Sequence, residues 1–309
     1  MQSSNDNSSN MWRRARKISD SLRKEGLSGY MSRLYHLGQW KRPLLTLLKY
    51  RSPRTHIYIH EKEFYLSERW QGITEELVLT GVHEPCATNI YASLLSPGDV
   101  VLDIGSNCGY YLSIGDDILK GNGQLHGFEP DPELFSLLRK NTSSFDTTTV
   151  LNQCAISASD GKIIFHTSTV SNWGTVKPRD DLQLSGKVEV ASKTIDSYCE
   201  EKGISPNVIR MDIEGGELLA IKGANNVLKR KPKLFIEFHR AFLTKQETTE
   251  FMSILENHGY DEAIWTNRYY DSPYSSGYIR ERSVFEGDWG QLTLAIRNSE
   301  YPVMGVFLR

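Results

Sequence analysis

No stretch of the 309-residue sequence approaches the ~18 apolar residues in a row that a membrane-spanning helix needs. The longest apolar feature of its basic segment is LLTLL at 44–48, and no cleavable leader precedes it, so the expected location is the cytoplasm. Cysteine is scarce. Cys86, Cys108, Cys154 and Cys199 have neither CxxC nor zinc-ligand spacing, which argues against a disulfide framework or a structural metal and leaves buried free thiols. Repeats at solenoid periods are missing, and so is the G-x-G-x-x-G loop of a dinucleotide site. Net charge is nearly missing too, at −2, but unevenly so. Residues 11–55 hold 12 Lys or Arg against Asp20 and Glu25, a surplus of +10 that leaves −12 for the rest. An acidic remainder without a basic stripe does not suit nucleic acid.

What is present begins with a polar tail, MQSSNDNSSN, expected to be disordered over residues 1–10. Trp12, Ala15, Ile18 and Leu22 then share one helical face with Arg13, Arg14, Arg16 and Lys17 around the other, and Tyr30, Leu34 and Leu37 repeat the spacing before Pro43. Such a helix either packs on the domain that follows or lies on an anionic surface, here the inner face of a membrane. The organisation read from this is a basic, mostly helical extension over 11–79 and an α/β domain over 80–309. Oligomeric state is not legible.

From residue 86 strands and helices alternate, the pattern of a parallel sheet covered on both faces. DVVLDIG at 99–105 reads as the first strand, followed by a helix rich in Tyr110, Tyr111, Leu112 and Ile114. QLHGFEP at 124–130 is the second strand, and Asp131 with Pro132 opens a helix that buries Leu134, Leu137 and Leu138. A third strand lies near TTVLNQCAIS, and the Asp160-Gly161 pair predicts a tight hairpin returning KIIFHT against it. KVEVASKTI, VIRMDIEG and KLFIEFH follow as extended segments, Thr244 and Glu247 form a capping box, and EAIWT and PVMGVFLR are the last strands.

The stretch VIRMDIEGGELLAIKGA at 208–224 starts as a core strand yet puts Arg210, Asp212 and Glu214 on one face. An unpaired charge inside a protein costs several kcal/mol, roughly, and an ion pair of Arg210 with one carboxylate still leaves two acids meeting one base, so this strand end is read as bordering a polar cleft. Ligands of open α/β sheets bind beyond the carboxyl ends of the strands, where Asp103, Glu129, Asp212, Glu214, Glu237 and His239 all fall. In the loop DIGSNCG, Ser106, Asn107 and Cys108 fill the space that a pyrophosphate needs, while Gly105 and Gly109 leave room for another nucleoside ligand. Asp103 would meet an ammonium or the loop backbone, and the helix start after Gly109 offers amides to a carboxylate. Glu129, 24 residues after Gly105, would accept hydrogen bonds from both hydroxyls of a ribose. An amino acid joined to adenosine satisfies all three demands.

VLDIGSNCGYY, GFEPDP, IRMDIEGGELLAIKGA and LFIEFH, in this order and spacing, resemble the FkbM-type S-adenosylmethionine-dependent methyltransferases over roughly residues 80–245. The resemblance implies a class I methyltransferase fold, a Rossmann-like, seven-stranded, mostly parallel sheet with an antiparallel last strand. It also implies S-adenosyl-L-methionine as cofactor, held by Asp103, Gly105, Ser106, Asn107, Gly109, Glu129 and Asp212. The implied reaction is methylation of a hydroxyl on a sugar, glycan, lipid headgroup or other small molecule, with N- or C-methylation and a silent cofactor-binding scaffold as alternatives. Methyl transfer to oxygen asks for alignment and a proton acceptor, which the reading assigns to His239, with Asp212 and Glu237 positioning the acceptor. The same three could chelate a divalent cation, but no spacing enforces it and no metal is expected. Glu214 and Glu217 are read as partners of helix N-terminal amides. Trp173 in SNWGT is either a lid or a core anchor. DSPY at 271–274 resembles the base-holding signature of nucleic-acid amino methyltransferases but follows the wrong strand.

Overall fold

A computed structural model describes residues 55–68, 72–170, 173–179, 182, 184–260, 262–267, 284–287 and 303–308. The tail, the basic helix, residues 171–172 of SNWGT and the DSPY stretch lie outside the described residues. A hairpin of β1 (His56–Ile59) and β2 (Lys62–Tyr65) comes first, then α1 (Ile73–Thr80) and α2 (Pro85–Leu94). The alternating body is β3 (Val100–Ile104), α3 (Tyr110–Leu119), β4 (Gln124–Phe128), α4 (Pro132–Asn141) and β5 (Thr148–Asn152). β6 (Cys154–Ile156), β7 (Gly161–Ser168) and β8 (Leu184–Lys193) form a separate sheet before α5 (Ile195–Lys202). β9 (Val208–Met211), α6 (Glu217–Lys222), α7 (Asn225–Leu228), β10 (Lys233–Phe238), α8 (Lys245–Asn257), β11 (Glu262–Asn267), β12 (Val284–Gly287) and β13 (Val303–Leu308) complete it.

The main sheet runs β12-β11-β13-β10-β9-β3-β4-β5. β10, β9, β3, β4 and β5 are parallel, and β13 enters antiparallel between β10 and β11. This is the expected seven-stranded class I arrangement, with β12 added antiparallel at the edge of β11. Alternation along the strands divides the core. Leu102, Ile104, Ile209, Met211, Leu234 and Ile236 pack on one face, and Val101, Val208 and Phe235 on the other. Ile59, Phe64, Leu66, Ile73 and Leu77 join that second cluster, so residues within the expected 11–79 extension contribute to the core of the α/β body. Residues Arg54–Arg309 accordingly form one compact unit.

One connection departs from the expectation. KIIFHT does not fold back on the third strand: β7 pairs antiparallel with β8, and β8 pairs parallel with β6, so β8 lies between them. The Asp160 carboxylate explains the difference, because it accepts from the Thr194 amide at 2.7 Å and the Ser197 hydroxyl at 2.7 Å. It thereby ties the turn to the start of α5 rather than closing a hairpin. The two predicted caps are present. The Asp131 carboxylate accepts from the amides of Glu133 and Leu134, and Thr244 with Glu247 makes a reciprocal capping box. All four cysteines are free and buried.

Candidate active site

A cavity of about 890 Å³, counted to its open mouth, lies beyond the carboxyl ends of β3, β4 and β9. Its floor is the turn after β3. Gly105 adopts φ +84, and a Cβ there would collide with the Asp212 carbonyl oxygen, so only glycine lets β3 and β9 end side by side. The Ser106 hydroxyl donates to the Asp103 carbonyl at 2.8 Å and accepts from the Phe128 amide at 3.1 Å, joining the ends of β3 and β4.

Glu129, 5% exposed, follows β4 and faces the cavity. Its Oε2 accepts from the Asn107 amide at 2.8 Å and its Oε1 from the Asp131 amide at 2.9 Å. Each oxygen keeps a second lone-pair direction, which is the capacity that two vicinal hydroxyls require. Burial pushes its pKa up to about 8, against the pull of the two amides. Phe128, Leu134 and Ile156 supply an apolar wall beside it.

Asp103 and Gly109 do not line this cavity. Asp103 is fully buried and accepts from the Arg210 guanidinium at 2.9 Å, while Gly109, at φ +93, opens α3. Arg210 holds three acceptors from β9: Asp103, the Gly105 carbonyl at 2.9 Å and Asp212 at 2.8 Å. Its guanidinium also stacks over Tyr111 at 4.1 Å. Burial opposes its charge, but Asp103 and Asp212 outweigh that and raise its pKa, so it stays a cation. Part of the charge on this strand is therefore an internal ion-pair network.

The remaining charge converges on His239. Its Nε2 lies 3.3 Å from Glu214 Oε1, 3.6 Å from Glu237 Oε1 and 3.9 Å from Asp212 Oδ1, and its Nδ1 lies 3.7 Å from Glu217 Oε1. Asp212 and Glu214 line the cavity, whereas Glu237 and His239 stand outside its wall against them. Burial works against charging the imidazole, yet Glu214 and Glu237 raise its pKa well above the ordinary value. His239 sits behind the carboxylates of Asp212 and Glu214 rather than on the lining of the cavity.

Glu217 has the amide role expected of it, accepting from Gly215 at 3.1 Å and Ile213 at 3.4 Å. Glu214 does not. It takes a left-handed backbone, φ +49, that turns its carboxylate to His239, and Gly215 next to it, at φ +97, has no room for a Cβ against Phe242. Sequence reading also passed over His83, Tyr110 and Tyr111, which line the cavity from α3 and the segment before α2. A tyrosine pair on an apolar helix carries no signal of that kind. Trp173 is 36% exposed and so is no core anchor, while its neighbour Gly174 lines the cavity.

A family model described as the methyltransferase FkbM domain matches residues 103–262, half of the chain. This chain belongs to the FkbM methyltransferase family. A curated relative, the hexuronic acid methyltransferase AglP of Haloferax volcanii, is 29% identical over 156 residues. That match covers 50% of this chain and 62% of AglP, less than two thirds of its length. Solved structures with similar folds include a precorrin-6y C5,15-methyltransferase of Geobacter metallireducens, at 12% identity and TM-score 0.40, covering 80% of this chain and 95% of that one. Another is an S-adenosylmethionine-dependent O-methyltransferase of Thermotoga maritima, at 10% identity and TM-score 0.40, covering 82% and 84%. At that distance the strand order of the FkbM chain itself carries the fold assignment.

The residues present fit S-adenosylmethionine. Glu129 has open acceptor positions for ribose hydroxyls, the Gly105–Asn107 turn leaves space over backbone, and an apolar wall stands beside them.

Proposed function

We propose that this FkbM-family protein transfers a methyl group from S-adenosylmethionine to a hydroxyl of a sugar, with hexuronic acids as the acceptor class. The observation that carries this reading is one cavity lined both by Glu129 after β4 and by the carboxylates of Asp212 and Glu214 after β9. The name of AglP supports the acceptor class, and the untested half of the chain is free to differ. Bound S-adenosylmethionine supplies an electrophilic methyl carbon.

The protein's own task is to align the acceptor, exclude water and receive one proton. Asp212 and Glu214, facing the cavity, meet the acceptor hydroxyl. Burial raises the pKa of Glu214, which makes its carboxylate a more willing proton acceptor than an exposed glutamate. His239 stands behind both carboxylates, Glu237 helps orient it, and Arg210 fixes the Asp212 rotamer through its second oxygen.

The test is transfer of label from methyl-labelled S-adenosylmethionine to a panel of hexuronic acids, hexuronate-ended glycans and matched neutral sugars. Labelled hexuronate is expected. Label on the neutral sugars alone would overturn the acceptor class, and no label on any hydroxyl together with label on amines would overturn O-methylation.

A further inference from the structure

Among the described residues, four carboxylates at the ends of β3 and β9, those of Asp103, Asp212, Glu214 and Glu217, meet two cationic groups, Arg210 and His239. Asp103 and one oxygen of Asp212 are already satisfied by Arg210. Around His239 that leaves Asp212 Oδ1, Glu214 and Glu217 facing one imidazole, both glutamates buried to nine tenths or more. The Lys177 ammonium is spent on the Phe242 carbonyl and Glu247, each at 2.6 Å. A surplus of buried negative charge is costly, and either protons or a cation must offset it.

The imidazole itself points to a cation. His239 is 7% exposed, and its Nδ1 is buried with no hydrogen-bond partner, a state that natural proteins rarely leave without cause. Its Nε2 points the other way, among three carboxylates, and the ligand atoms of Asp212, Glu214 and His239 all lie within 4.8 Å of one another. Histidines that bind metals commonly offer their second nitrogen to a carboxylate outside the ligand set. Glu217 stands in that position, with Oε1 at 3.7 Å from Nδ1 and a buried, unpartnered Oε2.

We propose that Asp212, Glu214 and His239 bind one divalent cation of the Mn²⁺ type at the wall of the cavity, with Glu217 orienting the imidazole through Nδ1. One imidazole with carboxylates suits Mn²⁺, with Mg²⁺ and Zn²⁺ as competitors that the measurement ranks. The role of the cation rests on the methyltransferase reading. In that reading the cation offsets the negative charge that an acceptor's carboxylate brings to this end of the cavity. Binding of the cation does not rest on that reading.

The experiment uses the whole chain after removal of metals, titrated with Mn²⁺ and followed by electron paramagnetic resonance. One Mn²⁺ per chain is expected, with affinity at least tenfold weaker in Glu214→Gln and in His239→Ala and unchanged in Glu189→Gln, an exposed carboxylate on β8. Wild-type protein is also heated with Mn²⁺ at about 100 times its dissociation constant, where Tm should rise by roughly 5 °C. That readout serves even if a variant does not fold. Less than one Mn²⁺ per chain at millimolar metal with no rise in Tm, or equal binding by both variants and wild type, would overturn the proposal. S-adenosylhomocysteine is titrated in parallel. If it binds and Mn²⁺ does not, only the cation site fails; if it does not bind, the methyltransferase reading fails on its own.

Discussion

Glu129 shows what one carboxylate can and cannot reveal in a sequence. Its place after a strand, 24 residues beyond Gly105, was readable, but the two amides that fix its carboxylate plane come from Asn107 and Asp131 and need the fold. Replacing it by alanine removes acceptors for two hydroxyls, each worth ~1.5–3 kcal/mol to a charged group, so affinity for S-adenosylmethionine should fall at least tenfold by calorimetry. Its pKa also gives a sign. Only the ionised form accepts from both hydroxyls, so affinity should rise as pH passes upward through about 8. Glu129→Gln should flatten that rise, and a wild-type profile already flat from pH 6.5 to 9 would contradict the assignment. His239 teaches the opposite lesson. A strand-end histidine reads as a base from its usual pKa, and what the sequence could not show was Glu214 and Glu217 from the β9–α6 connection and Glu237 from β10 converging on it.

Between elements, β3 and β9 are held at their ends by more than ladder bonds. Asp103 and Arg210 are direct cross-strand partners in the register, and Phe235 of β10 is next in the same row. The pattern of charges along VIRMDIEG was visible beforehand, but its division into an ion-pair network and a cleft was not, since both readings place the same residues on one face. Arg210→Met leaves Asp103 buried without its partner and should lower stability by about 3–5 kcal/mol in urea denaturation. The double variant Asp103→Leu with Arg210→Met removes both charges and should recover much of that loss. If the double variant loses as much as the sum of the singles, the pair is not coupled. The helix caps at Asp131 and Thr244 were legible because they are local. Thr244→Ala should cost α8 about 1 kcal/mol. The β6–β8 sheet was misread because an Asp-Gly pair signals a turn without saying which strand lies next to it.

At the scale of the molecule, the uneven charge meets the boundary of the fold. Residues 11–55 carry +10 of formal charge while the rest carries −12, and we propose that this segment attaches the protein to anionic lipid. Where the chain can be cut decides how this is tested. A chain beginning at residue 80 loses Ile59, Phe64, Leu66, Ile73 and Leu77 from the core, each worth ~1.5–3 kcal/mol, which together rival the whole stability of a domain. That chain should fail to fold. A chain beginning at residue 56 keeps all five, so it should melt cooperatively and bind S-adenosylhomocysteine as the full chain does. Phosphatidylserine vesicles should then sediment the full chain but not the one beginning at 56, and salt should release the full chain, because the Debye length shrinks from about 10 Å at 0.1 M to about 3 Å at 1 M. Equal sedimentation of both chains would move the contact to the α/β body, and no sedimentation of either would leave the basic surplus to an acidic partner.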